Sequence, residues 1–166
     1  MNILKTKITD LLDQHDIPYR VLTHSEPVFT VEAAAAQRGV VKEEMVKSIL
    51  LRDKQHHYVM ACVTGDTRLD PKAVRACLPA GWKRLTFANA EEIRAATGYI
   101  QGAVAPLCLP DDIPVVFDEA IADCSKVNIS SGDPLAGLEL GTQDLLKLSG
   151  AHVAPIAESP SDKGDS

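Results

Sequence analysis

Two apolar runs rich in β-branched residues, separated by a polar turn, constrain the fold of this chain more than any other feature. The runs are MVKSILL (45–51) and HYVMACVTG (57–65), and the turn RDKQHH (52–57), which shares His57 with the second run, has only polar or charged residues. Short apolar runs on either side of a polar turn are typical of a β-hairpin with buried strands. We therefore expect a hairpin near the centre of a sheet.

Five other stretches have the periodicity and the end signals of short helices. Asp70 stands directly before Pro71, which suits the first position of a helix because its missing N–H would have no partner there. Asn89 and Glu92 stand three residues apart, as in a capping box. The predicted helices are MNILKTKITDLLDQHD (1–16), TVEAAAAQRG (30–39, capped by Thr30 and ended by Gly39), LDPKAVRACL (69–78), NAEEIRAATG (89–98) and TQDLLKLSG (142–150).

Further strands are spread irregularly among these helices. They are predicted at YRVLTH (19–24), IPVVFD (113–118), KVNIS (126–130), LEL (138–140) and HVAPI (152–156). Because helices and strands do not alternate strictly, the pattern favours an α/β fold with a mainly antiparallel or mixed sheet, helices packed outside it, and a sheet that could close on itself. We expect a single domain over residues 1–157 and a C-terminal tail over 158–166.

Composition limits the classes of partner. Seventeen basic and 23 acidic residues give a formal charge of −6, which argues against a broad surface that neutralises phosphates. Any nucleic-acid contact should therefore be local, and DNA is not an expected partner. The chain has no apolar run of the roughly 18 residues that a membrane span requires, so we expect a cytoplasmic protein without a membrane partner. The scattered cysteines and histidines have no spacing typical of a metal site.

Lys47 is the most unusual charge in the sequence. Under the period-two alternation of a strand it shares a face with Met45, Ile49 and Leu51. One interpretation is an edge-strand lysine that discourages aggregation or reaches solvent along its stem. The other is a cation at the mouth of a pocket, where it binds a phosphate or a carbonyl oxygen.

Two segments of small residues are candidates for ligand contact. In GYIQGAVAPL (98–107), Gly98 is explained as a helix end, but Gly102 would let the backbone approach a ligand and point N–H groups at it. A tight bend or bulge is the structural alternative. In NISSGDPLAG (128–137), Ser130, Ser131 and Asp133 could bind a ligand or simply cap the neighbouring backbone.

Taken in order, these segments resemble the YbaK and ProX family of trans-editing aminoacyl-tRNA deacylases, which are related to the editing domain inserted in bacterial prolyl-tRNA synthetases. The likeness covers about residues 3–150. It is carried by HSEPVFTVEAAAAQRGV (24–40), VKSILL (46–51), GDTRLDPKAV (65–74), TGYIQGAVAPL (97–107) and ISSGDPLAGLEL (129–140). Each segment alone is unspecific, whereas their order and spacing together are not.

The resemblance implies a compact α/β domain with a curved, mixed, barrel-like sheet and surrounding helices. It also implies hydrolysis, without metal or cofactor, of the ester between a mischarged amino acid and the terminal ribose of tRNA. The family's signature lysine corresponds to Lys47, and the GxxxP loop that positions the aminoacyl group corresponds to 102–106, with Gly102 counted as catalytic. The candidate substrate-binding residues are His24, Thr30, Ala103, Val104, Ala105, Pro106, Ser131, Gly132 and Asp133.

This chain departs from the family pattern at three places. His24 stands where the YbaK branch has an aromatic hydroxyl, and residues 103–105 read Ala-Val-Ala where YbaK-like members often have Gly and Ser. Either Asp133 or Glu139 could occupy the acidic position. The leading hypothesis is a deacylase that clears alanyl, cysteinyl or seryl errors, on tRNA(Pro), by binding the CCA end, with prolyl-tRNA synthetase as a possible partner. A non-catalytic module that binds an aminoacyl group, an amino acid or a synthetase through the same pocket is the alternative.

Overall fold

The computed structural model describes residues 4–23 and 31–158. The helices in this part of the chain are α1 (Lys7–Gln14), α2 (Val31–Arg38), α3 (Pro71–Cys77), α4 (Ala90–Thr97), α5 (Glu119–Ala122) and α6 (Thr142–Ser149). The strands are β1 (Tyr19–Thr23), β2 (Val46–Arg52), β3 (Tyr58–Thr64), β4 (Thr86–Phe87), β5 (Val115–Asp118), β6 (Lys126–Asp133), β7 (Ala136–Gly141) and β8 (His152–Ala154). A short 3-10 turn, Lys42–Glu44, precedes β2.

The strands form two sheets. The larger one has the order β4-β2-β3-β5-β8 and the smaller one the order β1-β7-β6. β2 and β3 pair antiparallel from Val46 opposite Thr64 to Arg52 opposite Tyr58, which confirms the predicted hairpin at the centre of the larger sheet. β5 pairs parallel with both β3 and β8, so the mixed α/β fold is confirmed. Closure of the sheet into a barrel stays a prediction.

The two faces of the central hairpin bury side chains in different cores. Val46 and Leu50 of β2 lie in a core that they share with Ile129 of β6 and Leu138 of β7. Leu51 of β2 lies in a second core beneath α3. The alternation along one strand therefore attaches α3 on one side and the smaller sheet on the other.

Local end signals placed several helices correctly. The Asp70 side chain accepts a hydrogen bond from the Lys72 amide at the start of α3. Asn89 and Glu92 form the predicted capping box of α4, and Gly98 ends that helix with φ of +81°. These predictions are confirmed because each depends only on residues within one helical turn. The predicted cap at Thr30 lies outside the described residues.

Two elements were not predicted. β4 is only two residues long, and its pairing with β2 covers Leu51 and Arg52. α5 is a single turn that begins after Asp118, whose side chain accepts a hydrogen bond from the Ala120 amide. In the described part of the chain, no helix has the length and apolar character needed to cross a membrane.

Candidate active site

Lys47 lies near the start of β2 and is half-buried. Its Nζ donates a hydrogen bond to the backbone carbonyl of Thr67, in the loop that follows β3. That loop is itself tied down, because the Thr67 amide donates to the Thr64 carbonyl at 3.1 Å. In the larger sheet, Lys47 is paired on one side, with Val63 of β3, because β4 pairs with β2 only at Leu51 and Arg52. The ammonium group is held at a fixed place beside this loop.

One bridge brings the small sheet to the start of β2. Met45 pairs in parallel with Asn128 of β6. Both chains continue in the same direction from this bridge, so Lys47 and Ser130 each lie two residues beyond it. The lysine is therefore placed alongside the end of β6 that carries the predicted ISSGDP segment.

The 128–137 segment is a hairpin end in which β6 and β7 are joined through a register shift between Ser130 and Asp133. The Ser131 hydroxyl is completely buried and donates to the Ala136 carbonyl at 2.7 Å. It also accepts a hydrogen bond from the Asp133 amide at 3.1 Å. Gly132 adopts a φ of +91°, which a residue with a Cβ rarely does. The bonds of Ser131 hold the bulge in shape, and the two residues that follow it, Gly132 and Asp133, are half-buried.

The 98–107 segment begins with a tight turn. The Ala103 amide donates to the Ile100 carbonyl at 3.0 Å, and Gly102 has φ of +91°, as a type II turn requires of its third residue. Ala103 and Ala105 are then buried, with exposed fractions of 1% and 0%. Their small side chains fill the core and bring the loop backbone close to it.

This arrangement divides the backbone donors of the loop into two groups. The amide of Ala103 is already used in the turn. The amides of Gly102, Val104 and Ala105 donate to no acceptor within residues 4–23 and 31–158, but Ala105 is completely buried, so only the amides of Gly102 and Val104 are accessible. If the loop binds an oxyanion, the donors it can offer are therefore these two, and sequence patterns alone could not choose among the amides of the loop.

Tyr99 connects the loop to the β6–β7 hairpin, and no sequence pattern singled it out. Its hydroxyl donates to the Leu107 carbonyl at 2.6 Å, which closes the loop from inside. Its ring lies so close to Gly132 that a Cβ on the glycine would stand 3.2 Å from the ring atom Cε1. The Lys7 ammonium lies 4.2 Å from the ring centroid on one face. The tyrosine thus sets the distance between the loop and the hairpin.

Burial raises the pKa of the Tyr99 hydroxyl, because the phenolate would lose its hydration. The group therefore stays protonated over the whole physiological range and acts only as a donor to Leu107. The sequence signal that could have found it is an aromatic residue between the helix-ending Gly98 and Gly102, in a chain with 4% aromatic residues.

The two acidic candidates have different surroundings. Glu139 lies opposite Arg20 on β1 and accepts two hydrogen bonds from its guanidinium, at 3.1 and 3.2 Å. The Lys126 Nζ lies 3.7 Å from the Glu139 Oε2. The hydrogen bond from Arg20, together with these charges, lowers the pKa of Glu139, so its carboxylate is committed to a cross-strand ion pair. Asp133, at the bulge beside Gly132, accepts a hydrogen bond from the Leu135 amide at 2.8 Å.

The structure brings the 102–106 loop and the 128–137 hairpin together through Tyr99, whereas the Lys47 side chain bonds to the loop that follows β3. Lys47 lies along the end of β6, and Tyr99 joins the 102–106 loop to Gly132. His24 and Thr30 lie outside the described residues. His56 and His57 lie in the β2–β3 turn, at the opposite end of the hairpin from Lys47. Within the described ranges, no group of three or more His, Cys, Asp or Glu side chains could hold a metal ion.

A cavity of about 240 Å³ lies beyond the loop. It begins at Pro106 and extends to the end of α6 at Leu148 and Ser149. None of Lys47, Gly102 and Gly132 lines it. The candidate site, which consists of Lys47, the loop and the hairpin, therefore shares only Pro106 with this cavity.

Comparison with known sequences gives this region a family context. The model of the aminoacyl-tRNA editing domain matches residues 25–148, which include Lys47, the loop and the hairpin. EbsC of Enterococcus faecalis, named as a Cys-tRNA(Pro)/Cys-tRNA(Cys) deacylase, is 25% identical over 92% of this chain and 93% of its own length. The proline–tRNA ligase of Bacillus licheniformis is 28% identical over 73% of this chain, which spans about a fifth (21%) of the ligase.

Solved structures show the same fold. The crystal structure of the hypothetical protein APE2540 superposes with a TM-score of 0.82 and 31% identity, over 92% of this chain and all of that protein. A protein described as a trans-editing enzyme for prolyl-tRNA synthetase superposes with a TM-score of 0.78 and 26% identity, over 92% of this chain and 95% of its own.

Proposed function

The chain belongs to the aminoacyl-tRNA editing domain family, and we propose that it hydrolyses in trans the ester that joins a mischarged amino acid to the terminal ribose of tRNA(Pro). It is an aminoacyl-tRNA deacylase, and alanyl, cysteinyl and seryl esters are the proposed substrates. The observation that carries the proposal is the family match, which spans Lys47 together with the loop and the hairpin beside it.

Hydrolysis of this ester requires few reactive side chains. Water adds to the ester carbonyl, a tetrahedral oxyanion forms, and the carbonyl carbon–oxygen bond to the ribose breaks, giving a free amino acid and a free ribose hydroxyl. Stabilising the oxyanion is the main requirement, and one pre-aligned donor contributes about 3 kcal/mol. In the proposal, the accessible amides of Gly102 and Val104 hold the aminoacyl group and polarise its carbonyl. The loop is poor in reactive side chains because its backbone makes these contacts.

Lys47 has a different role in this proposal. Its ammonium, kept in place by the Thr67 carbonyl, binds the phosphate of the terminal adenosine and places the ester against the loop. A lysine suits this task because it is a compact charge with three hydrogen-bond donors. Orientation of a bound ester is itself a large part of the rate enhancement.

The bulged hairpin completes the proposed site. Gly132 and Asp133 lie where an aminoacyl group on the loop would end, and Asp133 is the better acidic candidate because Glu139 is engaged by Arg20. A carboxylate there can accept a hydrogen bond from the α-ammonium of the amino acid. The name of EbsC, whose stated substrates include Cys-tRNA(Pro), supports cysteine among the amino acids to be tested first.

A deacylation panel tests the proposal. tRNA(Pro) charged separately with Ala, Cys, Ser or Pro is incubated with the protein, and the loss of each ester is followed against a reaction without protein. Fast loss of one or more noncognate esters with prolyl-tRNA spared is the expected result. Survival of all four esters, with an inert aminoacyl-adenosine analogue still bound, would instead support the non-catalytic binding module.

A further inference from the structure

The end of the β2–β3 hairpin that lies farthest from Lys47 concentrates positive charge in an acidic protein. Two segments meet there, residues 52–58 and 82–87, and we call them together the basic end. They contain four of the 17 Lys and Arg residues of the chain and only one of its 23 acidic residues. Such segregation of charge needs a reason, since a protein of net charge −6 does not gain solubility from it.

The single acid in the basic end, Asp53, is what joins the two segments. It is completely buried, and its side chain accepts hydrogen bonds from the amides of Gln55 and His57 and from the amide of Lys83. The ring of His57 also contacts its second oxygen at 3.1 Å. The carboxylate therefore organises the turn and fixes the 82–87 segment against it, with its own charge turned inward.

Three cations are displayed on this framework. Lys54, Lys83 and Arg84 are exposed, and in the described part of the chain no carboxylate lies within ion-pair distance of any of them. Arg52, the fourth cation of the basic end, pairs with Glu92 at 2.6 Å. The Glu92 carboxylate therefore does not neutralise the other three cations. The charge of the basic end is therefore available to an anionic partner.

Aromatic side chains accompany these charges. Phe87, on the short edge strand β4, is 61% exposed, and the half-buried Trp82 packs against His57 with ring centroids 5.5 Å apart and ring planes at 58°. Exposed aromatic rings interleaved with unpaired cations are the composition of surfaces that bind a nucleic-acid backbone and its sugars or bases. An acidic protein surface would not need the rings.

The distance between the basic end and Lys47 fits the acceptor end of a tRNA. Asp53 lies six residues from Lys47 along an extended strand, which is roughly 20 Å at about 3.3 Å per residue. In a tRNA, a few unpaired nucleotides separate the ester from the first phosphates of the acceptor duplex. When the terminal ribose lies at Lys47, that duplex is within reach of the basic end.

We infer that the basic end is the docking surface for the phosphate backbone of the tRNA acceptor arm, with Lys54, Lys83 and Arg84 as the phosphate contacts. The inference rests on the proposed function. Because the surface lies farther from the ester than the screening length of about 8–10 Å at physiological salt, it contributes to binding of tRNA and not to the chemical step.

The test compares two charge-reversal variants of equal charge change. Lys83→Glu/Arg84→Glu alters the basic end, and Lys5→Glu/Lys147→Glu alters exposed lysines elsewhere. Binding of uncharged tRNA(Pro) is measured by fluorescence anisotropy over a range of salt concentrations. We expect the first variant to bind tRNA at least tenfold more weakly than the wild type. The slope of the logarithm of its association constant against the logarithm of the salt concentration should be less steep by about 2. The affinity of the control variant should stay within threefold of the wild-type affinity.

Hydrolysis of a full-length aminoacyl-tRNA and of an aminoacyl-CCA trinucleotide provides the second readout. The first variant should have a raised KM for the tRNA, an unchanged kcat and unchanged hydrolysis of the trinucleotide. Equal losses on both substrates, equal losses in the control variant, or unchanged tRNA binding would overturn the inference. Loss of binding to a prolyl-tRNA synthetase with tRNA binding intact would overturn it in favour of a protein partner.

The binding assay also separates this inference from the proposed function. If the wild type hydrolyses no ester but the first variant loses tRNA binding with its salt dependence, the docking surface stands and the proposed reaction fails. If hydrolysis proceeds and neither readout changes in the variant, the reaction stands and the docking surface fails. Thermal unfolding of both variants confirms that each is folded before the comparison.

Discussion

The hydroxyl of Tyr99 is the single atom on which the shape of the candidate site depends most. Replacing Tyr99 by Phe keeps the ring against Gly132 but leaves the Leu107 carbonyl without its donor. An unsatisfied buried carbonyl costs about 1–3 kcal/mol, and we expect the free energy of unfolding to fall by about that amount in urea titrations. Deacylation should slow as well, because the loop loses its internal closure.

Tyr19→Phe is the matched control, since the Tyr19 hydroxyl also makes one hydrogen bond, to Asp13 at 2.9 Å, but on the surface. Loss of the Tyr19 hydroxyl should change the free energy of unfolding by well under about 1 kcal/mol. Equal effects of the two substitutions on deacylation would remove Tyr99 from the positioning of the loop.

The role of a residue could be predicted from the sequence only where that role depends on residues nearby in the chain. Lys47 could be singled out because a charge interrupts an otherwise apolar strand face, and Gly98 because it follows a helical period. The importance of Tyr99 depends on its contact with Gly132, which is distant in sequence. The hydrogen bonds of Ser131 depend on a register shift that composition does not encode. The catalytic and binding roles assigned to these residues stay predictions.

Among the structural elements, the β6–β7 hairpin constrains the site through one glycine. Gly132→Ala would strain a φ of +91° and place a Cβ 3.2 Å from the Tyr99 ring. Gly81→Ala is the control, because Gly81 has a φ of +110° and a Cβ added there would meet nothing within 4 Å. Backbone strain costs about 1–3 kcal/mol at either position, and both variants should show it in chemical unfolding.

Only Gly132→Ala should also lower deacylation, because only there must the tyrosine ring move. A loss of activity in Gly81→Ala as large as that in Gly132→Ala would contradict the link between the hairpin and the loop.

The β2–β3 turn makes stability depend on pH. Burial by itself would raise the pKa of Asp53, but the hydrogen bonds from His57, Lys83 and Gln55 outweigh it and hold that pKa at about 2, against 3.8 for the free group. Since the folded pKa is the lower one, the stabilisation is fully present above about pH 4 and is lost as the pH falls toward 2.

Asp53→Asn removes that titration. We expect the variant to be less stable than the wild type at about pH 6 and the difference to shrink between about pH 4 and pH 2, as measured by urea unfolding at each pH. A stability difference that stays constant over this whole range would show that the pKa of Asp53 is not depressed in the folded protein.

Elements long enough to show a regular spacing of apolar residues or a capping residue could be predicted from the sequence. The central hairpin and α4 are examples. β4 and α5 were not, because two strand residues or one helical turn hold too little pattern. The parallel pairing of β5 with β3 and β8 was also open, since it joins segments far apart in sequence and depends on the whole sheet.

At the scale of the whole molecule, the two ends of one hairpin have different tasks in the proposed mechanism. The Lys47 end holds the ester between the loop and the bulged hairpin, and the basic end holds the acceptor arm. In the proposal, the unpaired cations of the basic end reconcile RNA binding with a net charge of −6. Local nucleic-acid contact was predictable from composition, whereas its proposed location required the hydrogen bonds of Asp53.

The most direct test of the central claim is the deacylation rate of Lys47→Ala on the noncognate aminoacyl-tRNA(Pro) that the wild type hydrolyses fastest. Lys147→Ala, at an exposed position on α6, is the control. A fall in kcat/KM of about 100-fold or more in Lys47→Ala, with a cooperative thermal transition retained and the control unchanged, is the predicted result. Wild-type kcat/KM in Lys47→Ala would contradict the assignment of the active site.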